Sequence, residues 1–121
     1  HTPDTIGAYY REKCRFLSVE KTFLLLLTNA HTLIKEVELS SGTVNQTYLS
    51  PREIFIHALR YEAVHLVLVH NHPSGRVTPS EADIQSTLRI REAGKLLGIQ
   101  VSDHIIVAGD NYLSMLERGI L

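Results

Sequence analysis

The chain has 121 residues, 44% of them hydrophobic and 21% charged, the size and balance of one ordinary folded domain, which excludes a disordered segment. A net charge of −1 with the histidines neutral argues against a strong nucleic-acid binder, and Arg89 with Arg91 reads as a solvated helix face rather than a binding patch. The single cysteine, Cys14, excludes an intrachain disulfide and fits a reducing cytoplasm; with no activating partner in sight it reads as filler rather than a nucleophile.

The longest apolar runs fall far short of a membrane span, and no signal-peptide pattern opens the chain. The opening His1-Thr2-Pro3 reads as an internal boundary. The expectation is one domain over residues 1–121, forming the C-terminal part of a longer protein.

Thr2-Pro3-Asp4 reads as a helix start with proline at the first helical position, and the helix is expected to run to about Phe16. Phe23–Leu27 is short and wholly apolar, as a buried strand is. Leu33–Leu39 alternates polar and apolar, as a half-buried strand does, and the two predict a hairpin turning at Thr28–Thr32. Ser41-Gly42 interrupts the chain, and Thr43–Tyr48 is expected to extend the sheet. Ser50-Pro51-Arg52-Glu53 reads as a capping box opening a helix with Ile54, Ala58 and Leu59 on one stripe. Val64–Val69 is β-branched and apolar, the signature of a central strand covered on both faces. Thr78-Pro79-Ser80-Glu81 repeats the capping pattern for a helix carrying Ile84, Leu88 and Leu96 and stopping at Gly98. Ile99–Val101 and Ile105–Val107 are expected as two closing strands, followed by a turn at Gly109–Asn111 and a short final segment in which Tyr112 and Ser114 serve turn and packing. Alternating strands and helices predict an α/β or α+β sandwich.

The stretch from His70 to Asp83 carries the chemistry. In extended backbone, residues two apart point to one side, so His70 and His72 present two imidazoles to one point while Asn71 faces away. Pro73-Ser74-Gly75 turns the chain, and the following helix brings Asp83 nearby, with Ser80 three residues earlier on the same face. Two imidazoles and a carboxylate suit one zinc ion per chain, and three protein ligands leave its fourth position for water, as in catalytic rather than structural sites. Hydrolysis then needs a nearby carboxylate to take the water proton.

His70-x-His72, seven residues, Ser80, two residues, Asp83 matches the JAMM (MPN+, JAB) metalloprotease motif. Ser50-Pro51-Arg52-Glu53, His70-Asn71-His72-Pro73-Ser74-Gly75, Thr78-Pro79-Ser80, Ala93–Ile99 and Asp103-His104-Ile105-Ile106 resemble the bacterial RadC family (UPF0758), over nearly the whole chain after residue 18. The resemblance implies a curved mixed sheet flanked by helices, a sandwich of the cytidine-deaminase-like kind, with Zn²⁺ on His70, His72 and Asp83 and with Ser80 polarising the tetrahedral intermediate. It implies an upstream glutamate as general base at the start of an apolar strand. Glu20 fits that place better than Glu36 or Glu38 on the next strand. His104 is expected to make a structural hydrogen bond rather than serve the site, and His57 and His65 are expected to be structural. Arg76 is expected near substrate. The implied reaction is amide hydrolysis on a peptide or protein substrate. The rivals are a DNA-repair-associated factor, with any DNA contact made through the parent protein and unsupported by this charge balance, and a non-catalytic interaction module. The sequence leaves the oligomeric state open.

Overall fold

The computed structural model describes residues 2–39 and 49–121. Helix α1 spans Pro3–Lys13. Thr2 caps it: its Oγ1 accepts from the Thr5 N–H at 3.3 Å while Thr5 Oγ1 accepts from the Thr2 N–H at 3.0 Å, the reciprocal pattern that satisfies two free amides. The helix ends three residues short of the expected Phe16. Phe16 is 92% exposed, so no burial holds a further turn in helical form.

Strands β1 (Thr22–Leu27) and β2 (Leu33–Glu38) form the expected antiparallel hairpin. β1 is apolar throughout because both its faces are covered: Leu24 and Leu26 enter one core, Phe23, Leu25 and Leu27 the other. Helix α2 (Pro51–Arg60) starts at Ser50, whose Oγ accepts from the Glu53 N–H at 3.1 Å. Its buried stripe is Ile54, Phe55 and Ala58; Leu59, expected inside, is 54% exposed. Strand β3 (His65–Asn71) is buried along its whole length. Helix α3 (Glu81–Leu97) follows, then β4 (Gln100–Ala108) and β5 (Asn111–Ser114). The expected extension at Thr43–Tyr48 lies outside the described residues.

Among the described residues, five strands make one mixed sheet in the order β2-β1-β3-β4-β5. β3 and β4 are parallel, which a crossover through α3 permits; the other pairs are antiparallel. Ile54, Phe55 and Ala58 of α2 and Ile90 of α3 pack with Leu66 and Leu68 on one face. Ile6 and Tyr10 of α1 pack with Val67 and Val69 on the other. Among the described residues, no helix is long and apolar enough to cross a membrane.

The two closing strands expected at Ile99–Val101 and Ile105–Val107 are one strand. A bulge joins them: Leu66 pairs with Val101 and Val67 with Asp103, leaving Ser102 as the extra residue. The face of α3 is also corrected. Instead of Ile84, Leu88 and Leu96, it buries Asp83, Ser86, Thr87, Ile90 and Gly94, and Leu96 is 90% exposed. Gly94 is required by a close approach: a Cβ there would lie 2.3 Å from the Ile99 carbonyl oxygen. Gly98, at φ 72°, ends the helix in left-handed conformation.

Candidate metal centre

β1 and β3 run side by side with Thr22 opposite His70, so the segment just before β1 meets the end of β3 where the histidines lie. His70 is the penultimate residue of β3 and is buried; His72 is the first residue beyond the strand, held by its N–H donating to the Val107 carbonyl at 2.9 Å. Glu20, His70, His72 and Asp83 each offer a ligand atom, all within 4.8 Å of one another. The sequence-predicted histidines and both predicted acids therefore come together. Glu36 and Glu38, the weaker candidates for the base, are elsewhere: Glu36 accepts from the Tyr10 hydroxyl and pairs with Lys13 at 3.0 Å, and Glu38 pairs with Lys21 at 3.4 Å.

Asp83 arrives through a second reciprocal cap. Ser80, not Thr78, is the N-cap residue of α3. Its Oγ accepts from the Asp83 N–H at 3.0 Å, and Asp83 Oδ2 accepts from the Ser80 N–H at 2.8 Å. Ser80 prevails over Thr78 because Asp83, three residues on, can return the bond. The carboxylate thus closes the helix and faces the imidazoles, with Oδ2 at 3.2 Å from His72 Nε2 and Oδ1 at 3.6 Å from His70 Nε2.

The hydrogen bonds settle which ring nitrogens face the centre. His72 Nδ1 lies 2.7 Å from the Arg76 carbonyl oxygen. A carbonyl can only accept, so Nδ1 carries the proton and Nε2 is left with a lone pair. His70 is fixed through a longer chain. Thr87 donates its hydroxyl to the Asp83 carbonyl at 2.7 Å, so its oxygen receives the His104 Nδ1–H at 2.6 Å. His104 Nε2 is then an acceptor, 2.6 Å from His70 Nδ1, which must donate. Both Nε2 atoms consequently point lone pairs at each other across 2.8 Å, beside two carboxylates. Only a shared proton or a cation reconciles that arrangement. The donors fit a divalent metal of the zinc type.

With a proton rather than a cation between the imidazoles, their Nε2 atoms become donors to Asp83, and the electrostatics follow from that state. Burial alone pushes the Asp83 carboxyl up, but hydrogen bonds from His70 and His72 outweigh it and hold the carboxyl far below the ordinary carboxylate range. The hydrogen bond to Asp83 raises His72 against the desolvation that lowers it. Full burial pushes His104 well below the usual imidazole value, so it stays neutral and able to accept.

These shifts predict a pH response of the metal-free protein. Stability contributed by His72 is complete below the unfolded imidazole value of 6.5 and is lost as pH rises through the raised folded value. Stability contributed by Asp83 is present above its unfolded value of 3.8 and lost as pH falls through its depressed folded value. Denaturant unfolding of metal-free protein should therefore show the contribution of this pair falling as pH rises past His72. Zinc affinity should climb over the same range, because metal replaces the proton.

His104, expected to be merely structural, is a buried partner of a site imidazole, and Thr87 was missed altogether. The available signal for Thr87 was its position four residues after Asp83, on the same helix face. Replacing His104 with Phe keeps a planar ring but leaves the His70 Nδ1–H without an acceptor. Zinc affinity, read by chelator competition, is expected to fall by roughly 10–100-fold; unchanged affinity would remove His104 from the centre. Among the described residues, the other histidines stand apart from the centre. His65 lies at the far end of β3, stacked on His31 at 4.0 Å, and His57 is on α2. Cys14 is buried, and burial pushes its thiol up, as suits filler.

The centre opens on a cleft of about 410 Å³ whose lining includes Glu20, His72, Arg76, Ser80 and Asp83. Arg76, expected near substrate, is on its wall and exposed.

Residues 1–120 match the RadC-like JAB domain family. A UPF0758 protein of Pelobacter propionicus is 42% identical over 120 residues, covering 99% of this chain and 52% of the relative. UPF0758 protein SH1266 of Staphylococcus haemolyticus is 42% identical over 118 residues, 98% of this chain and 52% of the relative. A UPF0758 protein of Clostridium botulinum is 39% identical over 122 residues, 100% and 53% respectively. The chain thus spans about half the length of these curated relatives. A match over all but the last residue, on a mixed sheet that gathers the His-x-His and Ser-x-x-Asp words around one point, makes this chain a member of the RadC-like JAB (JAMM/MPN) domain family.

Proposed function

We propose that this domain is a zinc-dependent hydrolase that cleaves amide bonds, peptide or isopeptide, in a peptide or protein substrate. The observation that carries the reading is the convergence of Glu20, His70, His72 and Asp83, with two imidazole lone pairs face to face. His70, His72 and Asp83 would hold the ion, leaving Glu20 for proton transfer. Zinc in such a set supplies Lewis acidity toward a carbonyl and makes a water molecule acidic near neutral pH.

The residues of the chain then divide the work. Glu20 takes a proton from the attacking water and returns it to the leaving amine. Ser80 uses an oxygen lone pair to cap α3, which leaves its O–H free to donate to the oxyanion as charge develops there. Arg76 holds His72 through its backbone carbonyl, and its side chain lines the cleft where substrate flanks would lie. What supports an amide as the bond cleaved is the resemblance to JAMM enzymes; the ligand set suits esters equally.

Protein purified without added metal should contain about one zinc per chain. It should hydrolyse members of a panel of peptide- and isopeptide-linked substrates, lose that activity to a chelator, and regain it with zinc. A zinc-loaded protein inert toward the whole panel would overturn the amide reading, and a protein with no affinity for zinc would overturn the hydrolase.

A further inference from the structure

Asn71, the residue between the two histidines, is 3% exposed and faces the side of the sheet opposite His70. Both the oxygen and the nitrogen of its amide bond to one short segment, 50 and 52 residues away in sequence. Oδ1 accepts from the Lys21 N–H at 2.7 Å, and Nδ2 donates to the Val19 carbonyl at 2.9 Å. The backbone N–H of Asn71 also donates to the Lys21 carbonyl, at 3.4 Å. The orientation of the amide is unambiguous, since Lys21 offers only a donor to it and Val19 only an acceptor. The two side-chain bonds grip the chain immediately before and immediately after Glu20.

Residues 14–21 form neither helix nor strand, so no ladder fixes the peptide units on either side of Glu20. Asn71 supplies the fixing, in the manner of a neighbouring strand. Because it stands between His70 and His72 in the chain, the same three residues that aim two imidazoles also set where the Glu20 backbone lies. A hydrophobic residue at 71 would leave the Lys21 N–H and the Val19 C=O without this partner. Aspartate would keep the bond from Lys21 and lose the one to Val19.

We propose that Asn71 is a positioning residue that clamps Val19 and Lys21 so that the Glu20 carboxylate is held within reach of the His70–His72–Asp83 centre. The inference rests on the metal-centre reading above, and the test separates the two. Protein carrying ¹³C-carboxyl glutamate is loaded with cobalt(II) or, as the diamagnetic reference, zinc, and the Glu20 signal is identified by its absence in Glu20→Gln. In the parent protein, cobalt should produce strongly shifted imidazole N–H resonances from His70 and His72 and a strongly shifted Glu20 carboxyl. In Asn71→Ala the imidazole resonances should persist and the Glu20 shift should collapse. Asn71→Asp, which keeps one of the two side-chain bonds and covers the case in which the alanine variant does not fold, should lose part of the shift.

An unchanged Glu20 shift in the folded, cobalt-loaded variants would overturn the inference while leaving the metal reading standing. Imidazole resonances that move together with the Glu20 signal would also overturn it, since Asn71 would then act on the ligands. Absence of shifted imidazole resonances in the parent protein would overturn the metal reading and this inference with it.

Discussion

Asp83→Ala is expected to abolish stable zinc binding and to loosen the start of α3 at the same time. The carboxylate has two tasks that are separable by substitution. One oxygen accepts from the Ser80 N–H and completes the cap; both oxygens face the imidazoles, at 3.2 and 3.6 Å. Alanine removes both tasks. Loss of a helix cap costs on the order of 1 kcal/mol, visible in denaturant unfolding of the metal-free protein. Asparagine keeps an amide oxygen for the cap but removes the negative charge that faces the cation. At a pH above the raised His72 value, where that imidazole is neutral, Asp83→Asn should therefore resemble the parent in metal-free stability while failing to retain zinc through gel filtration. If Asp83→Asn held zinc as firmly as the parent, Asp83 would be a capping residue and nothing more.

Glu20→Gln is expected to leave zinc binding nearly intact and to lower amide hydrolysis by roughly 10²–10⁴-fold, the range for removing a general base. Glutamine has the same shape and can accept a hydrogen bond, but it cannot take up the water proton. The loss should fall on kcat more than on KM, because the proton moves only in the reaction. The competing outcome is informative. A variant that loses zinc along with activity would make Glu20 a fourth ligand, which its place among the four converging groups permits geometrically. Measuring zinc content and turnover on the same preparation distinguishes the two.

Much of the centre was legible in the chain because it rests on short-range geometry. Strand periodicity puts His70 and His72 on one side, and the helical spacing of Ser80 and Asp83 places them together. Glu20 was reachable only through family resemblance, since it lies in a segment with no periodicity to read. The parts that were misread share a cause. Apolar spacing predicts Ile84, Leu88 and Leu96 on the buried face of α3, yet that face carries Asp83, Ser86 and Thr87. It turns polar groups inward because it serves His104 and the centre, and Leu96 is left outside. His104 was undervalued because its bond to His70 spans 34 residues and depends on a bulge that alternation does not reveal. Strand alternation places Asn71 facing away from the histidines, but the loop it grips is distant in sequence and leaves no local pattern.

The bulge at Ser102 has a consequence for how this strand tolerates changes in length. His104 faces α3 because Ser102 is not counted in the pairing of β4 with β3, where His104 stands opposite Leu68. Deleting Ser102 would regularise the strand and leave His104 facing the same helix. Inserting one residue between Asp103 and His104 would turn the imidazole toward the opposite core, and the proton on His70 would lose its acceptor although every residue of the His-x-His and Ser-x-x-Asp words remained in place.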